Sequence, residues 1–259
     1  MIDQCLSLYD WVKFRRTKGA VKLHLVLDHD GYLPCFGMVT DGEVADVTAA
    51  HHTHLAADTI VVDDRGYNDD RLFVKWTDAG VYVVTRMKAN ALFEMVEEHA
   101  VPQNRNIVMD QTLRLTDTGA QDMCSHLLRR VEAIRQDTGD TLVFLTNYHG
   151  LGPSTIAAIY KDRWQIDLFF NALKQSLKIK TFVGTSANAV KTQMWRALIS
   201  MLLLRELQRS SRFGWSLANL VALLCMTLLP HRDLMAWLDE PFTTPPYQQD
   251  TPQALLAFA

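Results

Sequence analysis

An α/β fold is predicted for this chain, on three observations. The first is a strand pair: Val21, Leu23, Leu25 and Leu27 alternate with Lys22 and His24, and Asp30-Gly31 then marks a tight turn. The second is strand alternating with helix between Thr59 and Arg86. The third is a set of long helical patterns that fills the C-terminal half.

The elements follow in order. Ala20 to Asp28 reads as a strand, and Tyr32 to Thr40 as its antiparallel return. Asp41-Gly42 marks a second turn. Asp46 to Asp58 holds a short helix with Asp46 as N-cap. Thr59 to Asp63 is a short buried strand. Asp69 to Ala79 is a helix stopped by Gly80, and Val81 to Arg86 is the next strand. Residues 91 to 150 are less patterned: Ile107 to Leu115 and Thr141 to Thr146 read as strands, with a polar region between. Pro153-Ser154 opens a long helix that runs to about Leu177, with Ser154 as its N-cap. Asn188 to Arg209 and Leu217 to Leu229 are two further helices. The tail from Glu240 carries Pro241, Pro245, Pro246 and Pro252 and is expected to be flexible. No internal repeat is evident.

Composition narrows the function classes. The 259 residues suit one large domain, or one with an insert, and 48% apolar content allows a sizeable core. A net charge of −3 weighs against broad nonspecific nucleic-acid binding. Two local basic patches stand out, Lys13, Arg15, Arg16, Lys18 and Lys22, and Lys174, Lys178 and Lys180, although such clusters are more often solvated faces. Cys5, Cys35, Cys124 and Cys225 show no paired spacing, which argues against a zinc site or a disulfide framework and fits a reducing cytoplasm. The first residues carry a charge and no apolar run, so no signal peptide is expected. The apolar stretch from Phe213 to Pro230 falls short of a comfortable membrane span and reads as a buried helix. His51, His52 and His54 cannot close a tetrahedral metal site on one short helix and are expected on an exposed face.

The strongest chemical signal is Tyr160-Lys-Asp-Arg163-Trp-Gln-Ile-Asp167, followed by Lys174. On a helix at roughly 100° per residue, Tyr160, Arg163, Asp167 and Lys174 fall within a sector of about 60°. Ile159, Ile166, Phe170, Leu173 and Leu177 cluster on a neighbouring sector. An acid between two cations at the edge of a buried face suits a metal-dependent site that handles phosphates. An ordinary helix surface with spaced charge pairs fits the geometry equally well.

The spacing resembles the Tyr-Arg-Glu-Lys signature of DDE transposases, in the bacterial insertion-sequence family numbered four. Thr59-Ile-Val-Val-Asp-Asp64-Arg65-Gly66-Tyr67 resembles the segment that carries the second catalytic aspartate there. Lys13 to His24, Asp28 to Gly31, Gly80 to Arg86 and Leu177 to Phe182 are similar too. The resemblance covers roughly residues 1 to 240.

This resemblance implies an RNase H-like mixed sheet flanked by helices, with a β-rich insert and a helical C-terminal part. Residues 1–90 would begin the catalytic domain, 91–150 would form the insert, 151–240 would carry the signature helix, and 241–259 would be the tail. It implies DNA cleavage and strand transfer in transposition, with Asp64 and Asp167 as catalytic acids and metal ligands. The cofactor would be Mg²⁺, with Mn²⁺ as substitute. Tyr160, Arg163 and Lys174 would contact DNA, with Arg15, Arg16 and Lys18 as a further DNA-binding patch. The partner would be double-stranded DNA, both transposon ends and target, bound by a homodimer in a synaptic complex. The location would be the bacterial cytoplasm at the nucleoid, with no membrane contact.

Two departures are plain. The third acid of the family is glutamate, and Asp167 is one methylene shorter. The first catalytic aspartate belongs on a strand just before the segment that matches Met1 to Leu8, and Asp3 lies a few residues beyond its position. An N-terminally truncated or miscalled chain is therefore expected, with a sheet whose neighbouring strands lack a partner. The alternative function is a catalytically inactive remnant that binds DNA or the full-length transposase. A nonspecific nuclease of the same fold is a weaker third reading.

Overall fold

A computed structural model of the chain describes residues 2–3, 20–101, 106–116, 125–176, 186–227 and 233–242. It divides into two compact units, Met1–Ala197 and Leu198–Ala259. Arg15, Arg16, Lys18, Leu177, Lys178, Lys180 and the proline-rich tail beyond Phe242 lie outside the described residues.

The first unit opens with β1 (Ile2–Asp3), β2 (Ala20–Leu27) and β3 (Pro34–Asp41), an antiparallel three-stranded sheet. The predicted hairpin forms in the register Val21↔Asp41 to Val26↔Phe36. Gly31 turns it at φ +84°, a conformation that a glycine adopts without strain. β1 pairs with β2 only at Ile2↔Val21 and Asp3↔Ala20. From Lys22 onward, that edge of β2 has no partner strand among the described residues. α1 (Asp46–His51) is shorter than expected, and Ala45 rather than Asp46 is its N-cap. Asp46 is the first helical residue instead. Its carboxylate lies 3.2 Å from Lys22 Nζ.

β4 (Ile60–Val62) leads into a 3₁₀ turn at Arg65–Tyr67, then α2 (Asp70–Asp78) and β5 (Tyr82–Arg86). Asp69 caps α2 by accepting from Leu72 N at 3.0 Å, and Gly80 at φ +71° ends it. β5 runs parallel to β4. β6 (Phe93–Glu98), β7 (Ile107–Leu115), β8 (Leu128–Ile134) and β9 (Thr141–Thr146) complete a six-stranded sheet in the order β4-β5-β9-β8-β7-β6. Its other pairings are antiparallel. β7 and β9 match the sequence reading. β8 fills the polar region between them, and its charge hides it: Arg129 is buried against Asp110 of β7 and so takes an apolar residue's place. β6 is exposed along its whole length and shows no burial alternation to read.

The sheet is covered on both faces. On one, Leu72, Phe73 and Trp76 of α2 pack with Val83, Leu113 and Leu145. On the other, Ile156 and Tyr160 of α3 (Pro153–Lys161) pack with Val84, Val131 and Phe144. Consecutive strand residues point to opposite faces, so Val83 and Val84 serve different cores. The result is a mixed α/β sheet flanked by helices, consistent with the RNase H-like expectation.

The long helix expected from Ser154 to Leu177 is not continuous. α3 ends at Lys161, and α4 (Trp164–Ser176) begins after a two-residue break. The N-cap of α3 is Gly152, followed by Pro153 at the first helical position, not Ser154. Across the break the bonds tighten to three-residue spacing. Asp162 N donates to Ile159 O (3.1 Å), Arg163 N to Tyr160 O (3.1 Å) and Ile166 N to Arg163 O (3.2 Å). No glycine or proline announces this break in sequence. A tertiary contact marks it: the Asp162 carboxylate lies 3.3 Å from His29 Nε2, at the tip of the β2–β3 hairpin.

α5 (Ala187–Ser210) follows, running from the first unit into the second. α6 (Leu217–Thr227) and α7 (Leu234–Asp239) form the second unit's core around Trp215, Leu220, Leu224, Trp237 and Leu238. α5 and α6 match the predicted helices. α7 was not expected, although Asp233 is an orthodox cap that accepts from Met235 N and Ala236 N. No helix among the described residues is long and apolar enough to cross a membrane.

Candidate active site

The site is built where β4 ends. Val61 and Val62 anchor the strand in the two cores. The chain then carries two consecutive aspartates out of the sheet. Strand alternation sends them apart. Asp63 is buried at 8% exposure, whereas Asp64 is exposed. Asp64 caps the 3₁₀ turn, its Oδ1 accepting from Arg65 N at 2.8 Å. Gly66 sits in this turn at an ordinary φ, and nothing lies within 4 Å of where its Cβ would be. A side chain at position 66 would therefore meet open space.

Asp63 escaped the sequence reading. Both its carboxylate oxygens are buried without a hydrogen-bond partner among the described residues. Burial pushes its pKa up to about 7, and the neighbouring Asp64 charge adds to the shift. The nearby Thr85 hydroxyl works against it but is directed elsewhere, 3.1 Å from Asn68 Oδ1 and 3.4 Å from the Asp63 carbonyl oxygen.

The second half of the site comes from the α3–α4 break. Tyr160, 9% exposed, is a core residue whose ring packs against Phe144 at 5.0 Å between centroids. Burial raises its hydroxyl's pKa, with Asp64 raising it further and Arg163 and Arg86 opposing. The hydroxyl thus lies within electrostatic reach of Asp64 from β4, Arg86 from β5 and Arg163 from the break. The Arg163 guanidinium is 5.8 Å from the Tyr160 ring centre and 3.6 Å from Asp167 Oδ2. So Arg163 joins Tyr160 of α3 to Asp167 of α4. The single helical stripe expected from the sequence is replaced by a bend. Tyr160 belongs to α3, Arg163 to the turn, and Asp167 and Lys174 to one face of α4 at i and i+7. Lys174 is half-buried on that face. Trp164 is 58% exposed at the start of α4.

Buried polar groups behind the site hold its parts. Arg129 donates from Nε and Nη2 to the two Asp110 carboxylate oxygens at 2.8 and 2.6 Å. Its Nη1 also donates to the carbonyl oxygens of His149 (3.1 Å) and Leu151 (2.5 Å), just before α3. This fixes the approach of the helix that bears Tyr160. None of these residues was singled out in sequence, because an Arg and an Asp far apart in the chain carry no spacing signal. The histidine cluster lies at and just after the end of α1, which packs beside the 3₁₀ turn that Asp64 caps. His51 ends α1, 3.4 Å from the Asp69 carboxylate, and His52 and His54 are exposed.

Among the described residues, no three His, Cys, Asp or Glu side chains are grouped to hold a metal ion. Asp64 and Asp167 fit Mg²⁺ in kind, as hard carboxylate donors in a setting that also offers cations to a phosphate.

A family model described as "Transposase DDE domain" matches residues 9–203. A Sinorhizobium fredii protein named as transposase y4zB is 30% identical over 247 residues, which covers 94% of this chain and 69% of that protein. A Geobacillus stearothermophilus protein named as a transposase for insertion sequence element IS5377 is 28% identical over 207 residues, covering 76% of this chain and 52% of its own. A Synechocystis protein named as a transposase for element IS4SA is 24% identical over 184 residues, covering 70% and 51%. The chain thus spans about half the length of the last two. With three quarters of its residues matched by the one model, the chain belongs to the DDE-domain transposase family.

Proposed function

We propose that this chain provides catalytic residues for metal-dependent DNA cleavage and strand transfer in the transposition of an insertion sequence. Asp64 and Asp167 are its two proposed catalytic acids. Tyr160, Arg163, Asp167 and Lys174 form the proposed family-four signature, with aspartate in the glutamate position. The observation that carries this reading is the Arg163 guanidinium, set against both the Tyr160 ring and the Asp167 carboxylate, so that three of the signature side chains meet across the α3–α4 break.

In this reading each side chain has a task. Asp64 and Asp167 would hold the metal. Bound Mg²⁺ or Mn²⁺ would lower the cost of a water or 3′-hydroxyl attacking a phosphodiester and stabilise the leaving oxygen. Arg163 would hold a phosphate oxygen near the cut while steadying Asp167, a double duty that suits its planar fork of donors. Lys174 would meet a neighbouring phosphate as a point charge. Tyr160, fixed in the core, would present its hydroxyl to the DNA backbone or hold Arg163 by its ring face. Arg15, Arg16 and Lys18 are proposed to extend the DNA contact. The proposed substrate is double-stranded DNA, as transposon ends and target, handled by a homodimer in a cytoplasmic, nucleoid-bound synaptic complex.

A second reading has its own observation. Two candidate acids stand here where the family's name counts three, and Asp167 is shorter than the family's glutamate. A remnant that binds DNA or full-length transposase without cutting fits that. Incubating the chain with DNA carrying the element's ends, with and without Mg²⁺ or Mn²⁺, separates them. Metal-dependent strand cleavage supports the enzyme, and binding without cleavage supports the remnant.

A further inference from the structure

The geometry points to Asn68 as the positioning residue that sets the Asp64 carboxylate in place, an inference that rests on the proposed role of Asp64. The hydrogen bond described for Asp64 itself is local, from Arg65 N in its own turn. A local bond orients the carboxylate within the turn but does not fix the turn on the sheet. That must be done where the turn begins, just after β4, and where it ends, just before α2.

At the entry, Asp63 N donates to Val84 O of β5 at 3.2 Å. At the exit stands Asn68, the residue that ends the 3₁₀ turn. Its side chain is used at both ends. Nδ2 donates to the carbonyl oxygen of Arg86 at 2.8 Å, and Oδ1 accepts from the Thr85 hydroxyl at 3.1 Å. The reverse amide orientation would set Oδ1 against the Arg86 carbonyl, so the network itself assigns the flip. Thr85 is fully buried, and its hydroxyl also lies 3.4 Å from the Asp63 carbonyl. The Asn68 carbonyl in turn accepts from Lys88 Nζ at 2.7 Å. The segment Asp63–Asn68 is thus pinned to the end of β5 on both sides of Asp64, with Thr85 shared between the two pins.

Only an amide side chain of this length does this. Aspartate has no donor for the Arg86 carbonyl, and serine is too short to span both groups. Such supporting bonds matter because the groups that orient a ligand are worth about 10–100-fold in metal affinity.

The test uses the full chain and two readouts by NMR. Amide hydrogen exchange at Tyr67 and Asn68 reports the turn, whose N–H groups bond Asp64 O (2.9 Å) and Arg65 O (3.3 Å). Line broadening at residues 64–67 by added Mn²⁺ reports metal held at Asp64. In Asn68→Ala, exchange at Tyr67 is expected to rise at least about tenfold and the Mn²⁺ concentration for half-broadening about 10–100-fold. Exchange in β7–β9 should stay within twofold of wild type. Thr85→Val should act in the same direction, and Thr85→Ser, which keeps the hydroxyl, should restore both readouts. If Asn68→Ala does not fold, the Thr85 pair carries the comparison. Unchanged exchange and broadening in Asn68→Ala, with broadening lost in Asp64→Asn, would overturn the role of Asn68 while leaving Asp64 as ligand. Broadening that survives Asp64→Asn would overturn the reading of Asp64, and the positioning role with it.

Discussion

The Arg163 guanidinium lies 3.6 Å from the Asp167 carboxylate, joining the break after α3 to the first turn of α4. Both groups are partly exposed, so the pair is worth well under about 1 kcal/mol to the fold. Its value lies in the site. Arg163→Ala is expected to leave the urea midpoint almost unchanged while weakening binding to a DNA duplex severalfold in a fluorescence-anisotropy titration. Arg163→Lys keeps the charge but loses the fork and should recover only part of that binding. Asp167→Glu is not expected to restore cleavage to an inactive chain, because it adds reach but no third acid.

The buried Asp63 carboxyl makes stability depend on pH. Its pKa rises on folding from 3.8 to about 7, so the folded state holds the proton more tightly than the unfolded state. The stability this gives is fully present below pH 4 and is lost as pH rises through about 7. Three pK units correspond to roughly 4 kcal/mol as an upper figure. Asp63→Asn should be more stable than wild type at pH 8, and its urea midpoint should be flatter between pH 4 and 8. Paired denaturation curves in metal-free buffer across that range check this.

Removing Arg129 leaves Asp110 charged and buried, and the bonds from Arg129 to the His149 and Leu151 carbonyls are lost as well. Arg129→Met is expected to cost about 3–5 kcal/mol in urea unfolding. Arg129→Lys should recover part of that, since an ammonium can pair with Asp110 but cannot also reach both carbonyls.

Gly66 is not required by the protein's own packing, since its φ is ordinary and its Cβ position is open. Gly66→Ala should hold the thermal midpoint or raise it slightly, by the equivalent of about 0.4–1 kcal/mol, through a stiffer unfolded chain. If a DNA backbone packs against this turn at Gly66, the same change should lower DNA affinity. A melting curve and an anisotropy titration on one sample separate the two effects.

How legible this was from sequence varied by element. The hairpin, α2 and β5 were readable because each has local punctuation: Asp30-Gly31, the Asp69 cap and Gly80. The Asp64 turn and the Tyr160–Lys174 set drew notice through residue types at fixed spacing, but the set does not lie on the single helix expected. The α3–α4 break was not readable, since Asp162 and Arg163 are ordinary helical residues and the contact that accompanies it comes from His29, far away in the chain. β8 was hidden because its inward Arg129 is matched by Asp110 rather than by an apolar residue. Asp63 was missed because two adjacent acids look alike in sequence, and only the sheet decides which one is buried. Asn68 had no signal except its place directly after Tyr67.

The most direct test of the central claim is a cleavage assay on double-stranded DNA carrying the element's ends, with Mg²⁺ or Mn²⁺, comparing wild type with Asp64→Asn. The account predicts metal-dependent release of 3′-hydroxyl ends by the wild-type chain and none above background from Asp64→Asn, with the two proteins equally folded. Equal cleavage by both would contradict it, because Asp64 would then hold no part of the chemistry.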